Sequence, residues 1–186
     1  MKKVVSQYLL NNGSYSKQDV VLLEEKLQLK KLNKGDFLLK KGELCSSVYF
    51  IVEGDLFRYR IEDEVNIKVL ELRTANEWIL DHQSFVKRTP ADSYIKAFTN
   101  ALTYELTMDA IHDLISKSTS FFQLGTILES SNVEMMALQQ LDGPDAKYHY
   151  VLDNRPELLQ RFPLKMIASY LNMTPETLSR VRKRMF

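Results

Sequence analysis

Glu176, Ser179, Arg180 and Lys183 stand at i, i+3, i+4 and i+7, so on an α-helix their polar groups leave from one face. Those side chains suit base-edge recognition. Arg bonds guanine O6 and N7 together, Glu accepts from the cytosine amine, and Ser serves either base type. Arg182, Lys183 and Arg184 add cations for phosphate. The helix has a strong start. Thr174 offers a hydroxyl cap, Pro175 sits where a missing N–H costs nothing, and Glu176 meets the positive end of the helix, with Thr177 next on the same first turn. Leu178, Val181 and Met185 form the opposite, apolar stripe.

That helix needs a partner. Leu164, Ile167, Ala168 and Leu171 repeat at helical spacing just before it, Ala168 being small enough to admit a close crossing. Asn172 tolerates the left-handed backbone that a tight turn requires. Two short helices joined this way read as a helix-turn-helix whose second member enters the major groove of double-stranded DNA. From Arg155 onward seven basic residues face two acids, a net of +5, whereas the whole chain is only +1 and the remainder therefore about −4. A phosphate-attracting surface is thus expected at one end. The alternative, a solvated charged helix closing a bundle, requires cap, turn and charge to coincide by accident.

Composition narrows the class. At 186 residues, 45% hydrophobic and 26% charged, the chain suits a globular protein of one or two domains. The single cysteine, Cys45, excludes an intramolecular disulfide framework and a multi-cysteine iron–sulfur cluster. His82, His112 and His149 are too scattered to suggest a metal site. No run of about 18 apolar residues occurs, and the N-terminus lacks a cleavage signal, so a mature start, no membrane span and a cytoplasmic location are expected. No nucleophile, acid/base pair or phosphate loop argues for an enzyme. A cupin-like catalytic roll would need clustered metal ligands, which are missing.

The elements upstream divide the chain. Ser16 with Asp19 marks a helix start, followed by the stripe Val20, Leu23 and Leu27. Short β-rich runs follow from Leu29 to Thr107, separated by turns containing Gly35, Gly42 and Gly54, so an antiparallel sandwich, roll or barrel is expected. Helical period returns at Ile111, Leu114 and Ile115. Phe121, Leu124, Leu128, Ser131, Met135 and Leu138 then alternate at three and four, a heptad seam that packs on the chain's own sheet or on a second copy. Asp142-Gly143-Pro144-Asp145 breaks that helix. The expected division is 1–117, a sensor with a helical lead-in; 118–142, a dimerisation helix; and 143–186, an all-α reader. The fold class is α+β.

Glu176-Thr177-Leu178-Ser179-Arg180 resembles the E-x-x-S-R recognition pattern of the Fnr side of the Crp/Fnr family of bacterial transcription regulators. The stretch from Lys34 to Tyr59, with Tyr49, Ile51 and Gly54 as Y-x-I-x-x-G, is similar to that family's cyclic-nucleotide-binding, jelly-roll-like β-roll. The resemblance spans nearly the whole chain. It implies a parallel homodimer through the seam helix, an inverted-repeat operator, and RNA polymerase as a further partner. It also implies a wing after the second helix. The sequence stops at Phe186, so either the wing is dispensable here or DNA contact is expected to be weaker.

The ligand cassette departs from the family. Leu80 and Asp81 stand where Gly-Glu is expected, and Ala91, Asp92 and Ser93 where Arg-Ser-Ala is expected, with Trp78 and Phe85 flanking them. Without the phosphate-pairing arginine, cyclic AMP is an unlikely ligand and an unidentified small-molecule effector takes its place in the reading. Lys87 and Arg88 are candidate substitutes, although a solvated turn is their ordinary reading. Buried core is likewise the ordinary reading of Trp78 and Phe85. An alternative function follows if the reader contacts protein instead of DNA: an effector-sensing module that signals through protein contacts.

Overall fold

The computed structural model describes residues 2–63 and 66–185. Two four-stranded antiparallel sheets share one core and form the roll. The first has the order β1 (Gln28–Leu32), β8 (Ala101–Thr107), β3 (Ser47–Glu53), β6 (Trp78–Ile79). The second has the order β2 (Phe37–Leu39), β7 (Tyr94–Ala97), β4 (Leu56–Ile61), β5 (Ile67–Arg73). Val48, Phe50, Ile51, Leu56, Ile95 and Leu106 belong to this core and are almost completely buried. The β3–β4 turn depends on glycine. Gly54 has φ +89°, and a Cβ there would lie 2.4 Å from the Asn100 carbonyl oxygen.

Helices flank the roll. The expected lead-in is α2 (Lys17–Lys26), opened by a reciprocal capping box between Ser16 and Asp19. A further helix, α1 (Lys3–Asn12), precedes it. It carries no side-chain cap, and its inner face is only Val5 and Leu9, which explains why no start signal announces it. The strand runs emerge as expected except that β6 has two residues and no period to read. The start of the β5 run at Val65 lies outside the described residues. After β8 come α3's successors in chain order: with α3 (His82–Lys87) between β6 and β7, α4 (Met108–Lys117) follows β8, and a 3₁₀ turn at Thr119–Phe122 leads into α5 (Gln123–Gln140). The reader comprises α6 (Gly143–Asn154), α7 (Pro156–Arg161), α8 (Leu164–Tyr170) and α9 (Pro175–Met185).

The seam needs correcting. Phe121 is 0% exposed, and Leu124, Leu128 and Leu138 are also buried, all four within the chain's own core clusters. Ser131 and Met135 lie outside the described residues, their side chains included. The outward apolar positions are instead Phe122, Val133 and Met136, at 66%, 64% and 58% exposed. The period was legible, but apolar residues occupy two sides of this helix, and packing against the roll claims the side that looked like the seam.

The reader packs directly on the roll. Phe57, Tyr59, Val69 and Leu72 of the second sheet share a core with Leu138 of α5 and with Tyr148, Val151, Leu158, Phe162 and Ile167 of the reader. The 142/143 boundary therefore separates helices, with only Leu141 and Asp142 between α5 and α6, but does not separate cores. Edge strand β5 is covered at its free side: Ser169 Oγ accepts from the Val69 N–H at 2.9 Å and donates to the Ile67 carbonyl at 3.2 Å. Beside this contact a buried ionic network joins three parts of the fold. Glu134 of α5 accepts from Arg73 of β5 at 2.6 Å, from Arg155 at the α6–α7 junction at 2.7 Å and from the Tyr170 hydroxyl at 2.9 Å. Glu77, ahead of β6, pairs with the same two arginines at 3.2 and 2.8 Å.

Burial alone would raise the Glu134 pKa, but Arg73 and Arg155, with hydrogen bonds from Arg73 and Tyr170, hold it below the ordinary glutamate value. Its contribution to stability is therefore full above the unfolded-state pKa of about 4.3 and is lost as pH falls through the lowered folded value. Glu134→Ala leaves Arg73 to Glu71 and Glu77 and Arg155 to Glu77 and Glu157, and losing its charged hydrogen bonds is expected to cost about 1.5–3 kcal/mol. Chemical denaturation at pH 7 and at pH 3 checks this: the loss should be large at pH 7 and shrink at pH 3, and an equal loss at both would contradict the assignment.

Candidate nucleic-acid interface and sensor pocket

The helix-turn-helix forms as the sequence implied. Asn172 has φ +59°, its N–H donates to the Ser169 carbonyl at 3.1 Å and that of Met173 to the Ala168 carbonyl at 2.9 Å, a Schellman ending of α8. Ile167, Ala168, Leu171, Leu178 and Val181 are buried at the α8–α9 crossing, whereas Leu164 is 40% exposed and does not join the stripe. The Thr174 hydroxyl accepts from the Thr177 N–H at 3.2 Å, so the expected cap is in place.

On the other side of α9, Glu176, Ser179, Arg180, Arg182 and Lys183 are exposed together, and Thr177 is half-buried behind them. Hydrogen bonds from its own backbone N–H and from Thr174, and then the charge of Arg180, hold the Glu176 carboxyl below its usual range. It is an acceptor at neutral pH. Arg184 turns away from this face. Its Nη2 donates to both Asp145 oxygens at 2.7 Å, bracing α9 against α6.

The cassette residues come together, but around one another. Asp81 caps α3 by accepting from the Ser84 N–H at 3.0 Å, accepts from the Ser93 hydroxyl at 2.5 Å, and lies 3.6 Å from Arg58 Nη1. Asp81, Leu80 and Ser93 are at most 1% exposed. Arg58 of β4 is the residue that motif reasoning missed. Its signal was a charge inside the otherwise apolar run LFRYRI, opposite Glu71 in the β4–β5 register, with which it forms a buried pair at 2.6 Å. Trp78 packs edge-on against Phe50 at 5.2 Å with its indole N–H unpartnered among the described residues, and Phe85 and Ala91 are buried, so these three belong to the core. Asp92 is exposed and meets Arg60 at 3.6 Å. Lys87 and Arg88 are exposed, Arg88 being left-handed with its guanidinium on the Cys45 carbonyl at 3.5 Å. Cys45 itself is buried, which pushes its thiol pKa up. Among the described residues no group of three His, Cys, Asp or Glu side chains is placed to hold a metal ion, and no helix is long and apolar enough to cross a membrane.

An antiparallel roll with a capped short helix is joined through a long helix to a helix-turn-helix. Residues 29–118 match the cyclic nucleotide-binding domain family. The fold of the chain as a whole is that of the Crp/Fnr regulators. A CooA variant from Carboxydothermus hydrogenoformans superposes with a TM-score of 0.64 at 13% identity, covering 95% of this chain and 81% of that one. FixK2 from Bradyrhizobium japonicum gives 0.62 at 13%, covering 86% and 84%. The catabolite activator protein of Thermus thermophilus gives 0.55 at 16%, covering 92% and 84%. No curated protein sequence matches.

The cassette lacks the guanidinium that the family pattern carries for a phosphate. Ala91 supplies no guanidinium, and the one arginine near Asp81 is already paired with Glu71. Any ligand that prefers the folded chain stabilises it by about 2.7 kcal/mol at a hundredfold excess over Kd. Millimolar cyclic AMP should therefore leave the melting temperature unchanged, and a rise of several degrees would show that the cassette opens.

Proposed function

We propose that the protein is a dimeric, sequence-specific DNA-binding transcription regulator of the Crp/Fnr type. The observation that carries this reading is α9: one face is locked into the reader core through Leu178 and Val181, while Glu176, Ser179 and Arg180 project together into solvent. In this reading those three read base edges, Arg182 and Lys183 grip phosphate, and Thr174 and Thr177 set the entry of the helix into the groove. The resemblance of E-x-x-S-R supports the same roles. Acting this way, the protein would recruit or occlude RNA polymerase at its operator.

Two-fold pairing is proposed through the outward face of α5. Phe122 of the 3₁₀ turn and Val133 and Met136 of α5 are exposed apolar side chains, and a second copy would cover them. Val133→Asp with Met136→Asp should leave a monomer by light scattering, while Leu128→Asp should unfold the chain instead. A dimer mass retained in the double variant would discard this face.

Selection from random duplex DNA should return an inverted repeat with half-site centres about 34 Å apart, one helical turn. Arg180→Ala should relax one base pair in each half-site at a cost of about 1–3 kcal/mol. Arg182→Ala and Lys183→Ala should weaken all sequences alike and lower the salt slope by about one unit per lost phosphate contact. If Arg180→Ala instead left the selected sequence unchanged, α9 would be holding backbone only.

A further inference from the structure

Roll and reader enclose an open cleft of about 750 Å³, a size typical of small-molecule sites. Besides Arg58, four cations line it from four elements: Arg60 of β4, Lys68 of β5, Lys87 of α3 and, across the cleft, Lys147 of α6. Glu62 and Asp92 are the acids in the lining. Of these four only Arg60 has a carboxylate partner among the described residues, Asp92 at 3.6 Å. Lys68 is half-buried, and its ammonium donates to the neutral amide oxygen of Asn172. Arg58 lies deeper and is neutralised by Glu71 and Asp81.

Such a lining is unfavourable by itself. Burial lowers the Lys68 pKa and, with Glu62 opposing, the charges of Lys147 and Arg60 lower it further, so the lysine lacks the anion that would stabilise it. With Arg58 neutralised by Glu71 and Asp81, the other four cations against two acids leave a net of +2 around the space. Its lining includes the exposed Val86, which gives an organic group an apolar side chain to lie on.

We infer that this cleft, and not the self-filled cassette, is the effector site, and that its ligand is a small phosphorylated anion of at least two negative charges. Lys68, Lys87 and Arg60 hold it from the roll and Lys147 from the reader, so the bound ligand ties the two together. The inference deepens the regulator reading by naming the class of effector and the joint it acts on.

Calorimetry and melting of the full chain at low salt, with inorganic tripolyphosphate, ATP and AMP, test it. Tripolyphosphate and ATP should bind and raise the melting temperature more than AMP does. Lys68→Ala and Lys147→Gln should each weaken binding about tenfold or more, as loss of a charged hydrogen bond does. Arg182→Ala and Lys183→Ala should leave it unchanged. Hydrogen exchange at the Val69 amide, which is bonded to Ser169 of the reader, should slow on binding. Equal responses to tripolyphosphate and ATP assign the site to a phosphate chain, and a stronger ATP response adds recognition of the organic group; both support it. No response to either anion overturns it. So does binding that survives Lys68→Ala and Lys147→Gln but falls with Arg182→Ala, because the anion is then mimicking DNA on α9. If tripolyphosphate binds through Lys68 and Lys147 but no duplex is ever selected, the site stands and the regulator reading fails.

Discussion

The carboxylate of Glu134 is the contact on which the arrangement depends. It sits on the connecting helix and receives one guanidinium from the sheet, one from the reader and a hydroxyl from the end of α8. Each partner alone would be an expensive burial. Arg73 would lose its charge preference to desolvation, yet Glu71, Glu134 and Glu77 together drive its pKa upward instead. Burial likewise acts first on Tyr170, raising its pKa, with the Glu134 charge adding to it, so the hydroxyl stays a donor. Replacing such a cluster by apolar side chains is often neutral or even stabilising, so its main effect is geometric. Three elements satisfy one another only in one relative position.

That position is also what the apolar contacts require. An aromatic series runs along the second sheet from Tyr94 through Tyr59 and Phe57 to Phe98, with neighbouring centroids 5.0–6.3 Å apart, and continues into Phe162 of the reader. Stacked rings resist shear poorly, since offset geometries of similar energy lie close together. Directional contacts at the margin supply what the rings lack. Ser169 bonds the open edge of β5, and Arg161 meets Asp55 at 2.8 Å on the far side of the same sheet. The reader is thus positioned by polar contacts around an adaptable apolar centre.

The sequence displayed local features well because they are local. The Asn172 turn, the Thr174 cap and the split between Leu178 with Val181 and Ser179 with Arg180 follow from side chains within one or two helical turns of each other. The cassette was legible as a departure from a motif, through Ala91 and Asp81, but its replacement chemistry was not. Arg58 reaches Asp81 across 23 positions of sequence, and the reach depends on strand pairing that no periodicity encodes. The same limit governed α5. Phe121 and Phe122, in the 3₁₀ turn that leads into it, are adjacent and identical in type, and a rotation of about 120° decides which is buried. Only the surface of the roll makes that choice.

The paired groups also constrain how the sensor and reader influence one another. Ser93, Asp81, Arg58, Glu71, Arg73, Glu134 and Arg155 form an unbroken succession of hydrogen bonds and ion pairs from the cassette to the reader, alternating in sign after Ser93. No member can change partner alone: if Arg58 left Glu71 for another anion, Glu71 would rest on Arg73 only, and Arg73 would divide its charge differently between Glu71 and Glu134. Adjacency of this kind becomes coupling only where a second arrangement satisfies the same charges. The cleft beside Arg58 and Tyr170 is where an added anion most easily provides one, because it is open to solvent and already over-supplied with cations. If the cleft holds the anion inferred above, a carboxylate-rich interior beside a cation-rich cleft would make the charge of that ligand, more than its shape, the quantity to which the docking of the C-terminal helices responds.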